Sequence, residues 1–358
     1  MSGVLTGHLG REPEYTTVSG ARVVWQVGSY EEEYAALRSG AGLADLSGGG
    51  PLRVHGPGAA EALNRVLTRD VEFLAPEQAQ SALVLDSGGR PVDVVVVLAL
   101  SDDDYYVHCG PGRDERVAAL LAPACEPGEA ELANLRSSTS VLAVEGPDAW
   151  RVVQEVFGED YVSLAYESLL PVEVDGVDVV LARIGVTGEY GYTLFLPHEI
   201  AEPVWRALAA HSTPVGQRAL ETAMLEVRQP VLHRELGEDG TVLTAGLNWL
   251  VDINKPEFTG REALMAQRAD LTGTRPIGFA VTTGRVAEGD ELLVGPEVVG
   301  RVTYVVDSPG LGAQLGLAAV DRHWQASRLE FGTASGARVG TLAAPYVVPT
   351  SWTTPMEV

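Results

Sequence analysis

Residues 233–264 read HRELGEDGTVLTAGLNWLVDINKPEFTGREAL, and no other stretch of the chain is as specific. Gly260 followed by Arg261 and Glu262 marks a helix start. Trp249 on its own reads as a core residue. Immediately upstream, residues 199–211 and 216–228 read as helices. Downstream, 275–358 is strand-rich, with VVGRVTYVVDSPGLGAQLGLAAV its clearest piece, which predicts a small β-barrel at the C-terminal end.

Further toward the N-terminus the pattern is mixed. YEEEYAALRSGAGLADLS (30–47) starts as an amphipathic helix and breaks at Gly40 and Gly42. PLRVHGPGAAEALNRVLTRDV (51–71) reads as a strand, a Gly-Pro-Gly turn and a helix with Ala60, Leu63, Val66 and Leu67 on one face. SALVLDSGGRPVDVVVVLALSDDDYYVHCG (81–110) is three strands joined by two tight turns, and GRDERVAALLAPA (112–124) is a helix ended by its proline. TSVLAVEGPDAWRVVQEVFG (139–158) repeats the strand, Gly-Pro, helix order, through an internal duplication or as a second generic βα unit. VDVVLARIGVTGEYGYTLFLP (177–197) is a strand pair around a Gly-rich turn. Together these predict α+β lobes followed by a barrel.

Composition narrows the function classes. The 358 residues are 46% hydrophobic and 21% charged, which suits two or three globular domains. The longest apolar run, Val94 to Leu100, has strand length and falls far short of the roughly 18 residues of a membrane span. MSGVLTGHLGREPEY lacks a signal-peptide pattern, so the expected location is the cytoplasm. A net charge of −24, with Lys255 the only lysine, argues against nucleic acid or an anionic membrane as main partner. Cys109 and Cys125 allow at most one disulfide and have no metal-ligand spacing, His198, His211 and His323 are isolated, and no H-E-x-x-H occurs, so no metal is expected.

Stretch 233–264, together with AGLADLS (41–47), VEGPDAW (144–150), GVTGEYGY (185–192) and SPGLGAQLGLA (308–318), resembles the aminomethyltransferase family. These are the T-protein of the glycine cleavage system and its folate-dependent demethylase relatives. The resemblance runs in order over roughly residues 20–345. It implies a three-lobed α+β cloverleaf with a C-terminal β-barrel, here expected as lobes 1–138 and 139–270, with interleaving possible, and a barrel 271–358. It also implies tetrahydrofolate in a central hole, accepting a one-carbon unit from a substrate amine, ether or sulfonium. Such a site needs an acid at the reacting atom, a carboxylate for the pterin edge and stacking aromatics. The iron–sulfur-repair branch of the family has a cysteine in K-G-C-x-x-G-Q-E; KPEFTGRE stands here instead.

The family pattern is broken at several points. A Gly-Gly-x-x-Asp-Asp sequence is expected at the turn after the first long strand, with catalysis credited to the first acid; here SGGRPVD puts Val92 in that place and Asp93 one residue later. Neighbours on a strand face opposite sides, so Asp93 replaces that acid only if the turn carries a bulge or a slip. The pterin-holding Glu of G-Y-E becomes Thr193, two expected arginines become Leu220 and Met224, a polar S-H-M becomes Ser47-Gly48-Gly49, and the Asn of V-V-N becomes Cys109.

The resulting candidates are Asp93, His108 and Cys109 for catalysis, Arg113, Glu189, Tyr192, Glu226 and Trp249 for the cofactor, and Arg228 and His233 for a small-molecule substrate. Glu189, Tyr190 and Tyr192 around two glycines suit a flat heterocycle, or simply make a hairpin with edge tyrosines. Cys109 is reactive only if its pKa is lowered. Three functions stay open: folate-dependent one-carbon transfer or demethylation at an altered site; the same fold without folate, serving a cyclisation, rearrangement or bond cleavage in specialised metabolism; or a non-catalytic binding protein. A partner enzyme in a pathway is compatible with each.

Overall fold

The computed structural model describes residues 12–158, 161–237, 240–269, 273–354 and 356. Most of the N-terminal stretch searched for a signal peptide, and the expected 270/271 boundary, lie outside these residues.

Two copies of one unit form the body of the molecule. The first runs strand Pro51–His55, helix Ala59–Val66, strands Ala79–Leu85, Pro91–Ser101 and Asp104–His108, helix Asp114–Leu121 and strand Glu131–Asn134. The second runs Thr139–Glu145, Ala149–Phe157, Leu169–Val174, Val177–Ala182, Gly191–Pro197, His198–Ala209 and Thr213–Pro214, with the same element types in the same order. In both sheets the unit's second strand is at an edge, followed by its third, fourth and first. Both Gly-Pro turns start on a glycine with positive φ, 116° at Gly56 and 136° at Gly146, a conformation open chiefly to glycine. The repeated strand–Gly-Pro–helix motif is thus matched by repeated topology. The first unit's helix buries Ala59, Ala62, Leu63 and Val66; Ala60, expected on that face, lies beside it.

The units meet through equivalent residues. Ala79 N–H donates to the Glu167 carbonyl at 2.7 Å and Leu169 N–H to the Glu77 carbonyl at 2.9 Å. Glu77 and Glu167 both adopt left-handed backbone, at φ 63° and 60°. The third part is a closed six-stranded barrel from Thr274–Thr283 to Arg338–Leu342, filled by Phe279, Phe331 and Val339.

The lobes interleave, so 1–138 and 139–270 do not divide the molecule in space. Strand Gly42–Asp45 crosses to the second sheet, between Thr139–Glu145 and Thr213–Pro214. In the other direction, Val242, Leu247, Leu250, Phe258 and Leu264 pack on Leu83 and Leu85 of the first sheet. The chain's one lysine fixes that crossing: Lys255 Nζ donates to the carbonyls of Leu67 at 2.8 Å and Arg69 at 3.0 Å. The stretch 233–264 is therefore mostly a cover for the first sheet.

Candidate active site

The strand from Pro91 to Ser101 carries an irregularity at its start. Leu83 pairs with Val94 and Val84 with Asp93, but Leu85 pairs with Pro91, leaving Val92 as an extra residue. A bulge of this kind re-aims the side chains on either side of it. Val92 joins Val95 and Val97 in the core of the first lobe. Asp93 instead enters the wall of a cavity between the two lobes.

That cavity has a volume of about 200 Å³. Leu46, Val96, Ile184, Leu220 and Met224 make much of its wall apolar. Asp93 is only 4% exposed, and its Oδ2 accepts the Gly110 N–H at 2.8 Å. Burial pushes its carboxyl up to about 7, against the opposing pull of the Gly110 N–H and the Arg113 charge. A Cβ on Gly110 would stand 2.9 Å from Asp93 Oδ1, so the carboxyl sits where only glycine leaves room.

His108 and Cys109 follow on the adjoining strand. The His108 ring meets Phe195 edge-on at 5.4 Å between centroids, and its buried Nδ1 has no hydrogen-bond partner. Burial lowers its pKa to about 4, so at neutral pH it is an uncharged imidazole. Cys109 belongs to the first lobe's core as well as the cavity wall, and burial, then Asp93, pushes its thiol well up. It stays a thiol, which corrects its expected place among reactive groups. Cys125 is also free.

Arg113, His233 and Trp249 also line the cavity. Trp249 is 51% exposed and shares the mouth with Tyr166 and Glu167, beyond which lies an outer groove of about 580 Å³. His233 Nε2 lies 3.0 Å from Glu221 Oε1, and the other Glu221 oxygen accepts Arg234 Nε–H at 3.1 Å.

Four expected residues are elsewhere. Glu226 accepts hydrogen bonds from Tyr34, Arg38 and Ser308, and Glu189 from the Thr350 and Ser351 amides at 2.8 Å and from Arg38 at 3.3 Å. With their oxygens filled by protein donors, these carboxylates clasp helix Tyr30–Ser39, the second lobe, the barrel and the C-terminal segment together. Tyr192 is fully buried in the second lobe's core, its hydroxyl donating to the Val162 carbonyl at 3.1 Å. Arg228 ends helix Gln217–Val227 in left-handed backbone, 2.8 Å from Glu235 and donating to the Ala245 carbonyl. Glu145, which is not among the sequence candidates, lines the cavity and accepts the Val186 and Thr187 amides. Its place before the Gly-Pro turn of VEGPDAW was the available signal. Thr193, Leu220, Met224 and Cys109, four positions that the sequence reading singled out, all line this one cavity.

Residues 11–255 match the model of the GCVT N-terminal domain family. The chain is 34% identical over 319 residues to the aminomethyltransferase of Streptomyces coelicolor, covering 86% of this chain and 85% of the relative. It is 34% identical over 334 residues to that of Rubrobacter xylanophilus, covering 89% of each. The crystal structure of the glycine cleavage system aminomethyltransferase T from Bartonella henselae superposes with a TM-score of 0.87 over 96% of both chains, at 22% identity, which establishes the shared fold. The two interleaved lobes and the closed barrel thus belong to a known fold. The chain is a member of the aminomethyltransferase family. Among the described residues no helix is long and apolar enough to cross a membrane, and no group of three or more His, Cys, Asp or Glu could hold a metal ion.

Proposed function

We propose that the protein transfers a one-carbon unit from a small molecule to tetrahydrofolate, with Asp93 handling the proton at the reacting centre. The observation that carries this reading is the extra residue at Val92, which aims Asp93 into the cavity despite the shifted sequence register.

The residues suit the folate in kind. The unpartnered His108 Nδ1 and the Asp93 carboxyl offer polar atoms to a ring edge within an apolar chamber. Thr193 does not replace the expected pterin carboxylate, because its hydroxyl donates to the Ile184 carbonyl at 3.3 Å. The chamber is smaller than the roughly 300–1,000 Å³ of pockets that enclose a whole drug-sized ligand. It has room for one ring system, with the remainder passing Trp249, which offers a stacking face, into the outer groove.

When bound, tetrahydrofolate supplies the nitrogen that accepts the one-carbon unit. Asp93 does the proton work: titrating near neutrality, it can take the proton that the accepting nitrogen gives up and supply one to a departing heteroatom as its bond to carbon breaks. Gly110 fixes the carboxyl, and Leu46, Val96 and Ile184 keep water from it. The test is transfer of label from isotopically labelled methyl amines, ethers and sulfonium compounds to (6S)-tetrahydrofolate. Labelled folate formed by the wild type and lost with Asp93→Asn supports the reading; no transfer from any donor class counts against it.

A second reading draws on the same wall. Thr193, Leu220 and Met224 remove polar groups that the family pattern places at a folate site, as an enzyme repurposed without folate would. That reading requires a cavity with no affinity for reduced folates.

A further inference from the structure

Helix Gln217–Val227 presents Gln217, Leu220 and Met224 to the cavity, positions three and four apart and so on one helix face. That face carries no charge. Around the rest of the wall stand three carboxyl groups, Asp93, Glu145 and Glu167, against a single guanidinium, Arg113. His108 is uncharged at neutral pH, and His233 Nε2 lies 3.0 Å from Glu221 Oε1, an acid outside the lining. Arg113 acts on Asp93, so a carboxylate drawn to this arginine would meet the aspartate as well.

We propose that the co-substrate of this cavity is a small alkylamine that enters as a cation and carries no carboxylate, its apolar end lying against Leu220 and Met224. This rests on the cavity being the reaction site. A carboxylate buried against Leu220 and Met224 would find only uncharged donors such as the Gln217 amide to compensate its lost hydration, whereas an ammonium group is attracted by the surrounding carboxyls. The Asp93 carboxyl on the wall also offers such an ammonium group a partner of opposite charge.

The test is binding of N,N-dimethylethylamine and of its carboxylated counterpart N,N-dimethylglycine to the full chain, followed by ligand-observed NMR at neutral pH without folate. The amine is expected to bind at least about tenfold more tightly. Asp93→Asn should weaken the amine, and Met224→Arg should reverse the order of the two ligands. Equal or tighter binding of N,N-dimethylglycine to the wild type overturns the proposal, as does an amine that does not bind at millimolar concentration. A separate folate titration keeps the two readings apart. Amine preference without folate affinity overturns the folate reading alone, and folate affinity without amine preference overturns this one alone.

Discussion

Asp93→Asn should make the protein more stable, and increasingly so as the pH rises. The folded carboxyl titrates at about 7, against an ordinary aspartate value of 3.8, because burial disfavours its charged form. A group whose folded pKa is raised in this way costs nothing below the unfolded pKa, where both states are protonated. The cost grows as pH climbs between the two values and is complete above the folded one. At about 1.4 kcal/mol per pH unit, the full separation corresponds to roughly 4 kcal/mol at pH 8 and to roughly 1.5–2 kcal/mol at pH 5. Asparagine keeps the shape and an oxygen for the Gly110 N–H but carries no charge. Denaturant unfolding of both proteins at the two pH values checks this, the difference between them cancelling the titration of the other acids. The variant's advantage should be larger at pH 8 by about 2 kcal/mol. An advantage independent of pH, or a variant less stable than wild type at pH 8, would mean that the carboxyl is not buried as described. Such a cost at a cavity wall is what a retained functional acid entails.

Three further outcomes follow from the geometry. Gly110→Ala places a methyl 2.9 Å from Asp93 Oδ1, and turnover should fall on the order of 100-fold through displacement of the carboxyl, measured beside a thermal melt. Glu226→Gln uncouples the buried clasp of Arg38, Tyr34 and Ser308 and should destabilise the fold by about 3 kcal/mol in urea unfolding, with little change in amine affinity. Iodoacetamide at pH 8 should label Cys125 and spare Cys109, read by peptide mass spectrometry, because Cys109 is buried and its thiol is pushed well up.

Much of the fold could be read from local pattern. The Gly-Pro turns at Gly56 and Gly146 punctuate strand and helix strongly enough to expose the repeated unit, and the C-terminal strands announced a barrel. The crossing of Gly42–Asp45 into the second sheet could not be read this way. It is four residues long and pairs with a strand about a hundred residues on, so nothing local specifies it. The register at Asp93 shows the same limit: alternation put the acid on the wrong face, and only the partner strand reveals that Val92 is skipped. Glu189, Glu226 and Tyr192, expected at the cofactor, lie outside the cavity and are engaged by protein partners. Their partners, Arg38, Ser308, Thr350 and Val162, come from distant segments that no spacing rule connects. Conversely, Thr193, Leu220, Met224 and Cys109 lie far apart in the sequence, and the fold gathers them on one wall.

The central claim, that this cavity receives a reduced folate beside Asp93, is tested most directly by calorimetric titration of the wild type and of Trp249→Ala with (6S)-tetrahydrofolate. Binding in the micromolar range by the wild type, weakened in the variant that loses the stacking face at the mouth, is the expected result. Absence of heat up to millimolar folate would contradict it and leave the cavity to a folate-independent reaction.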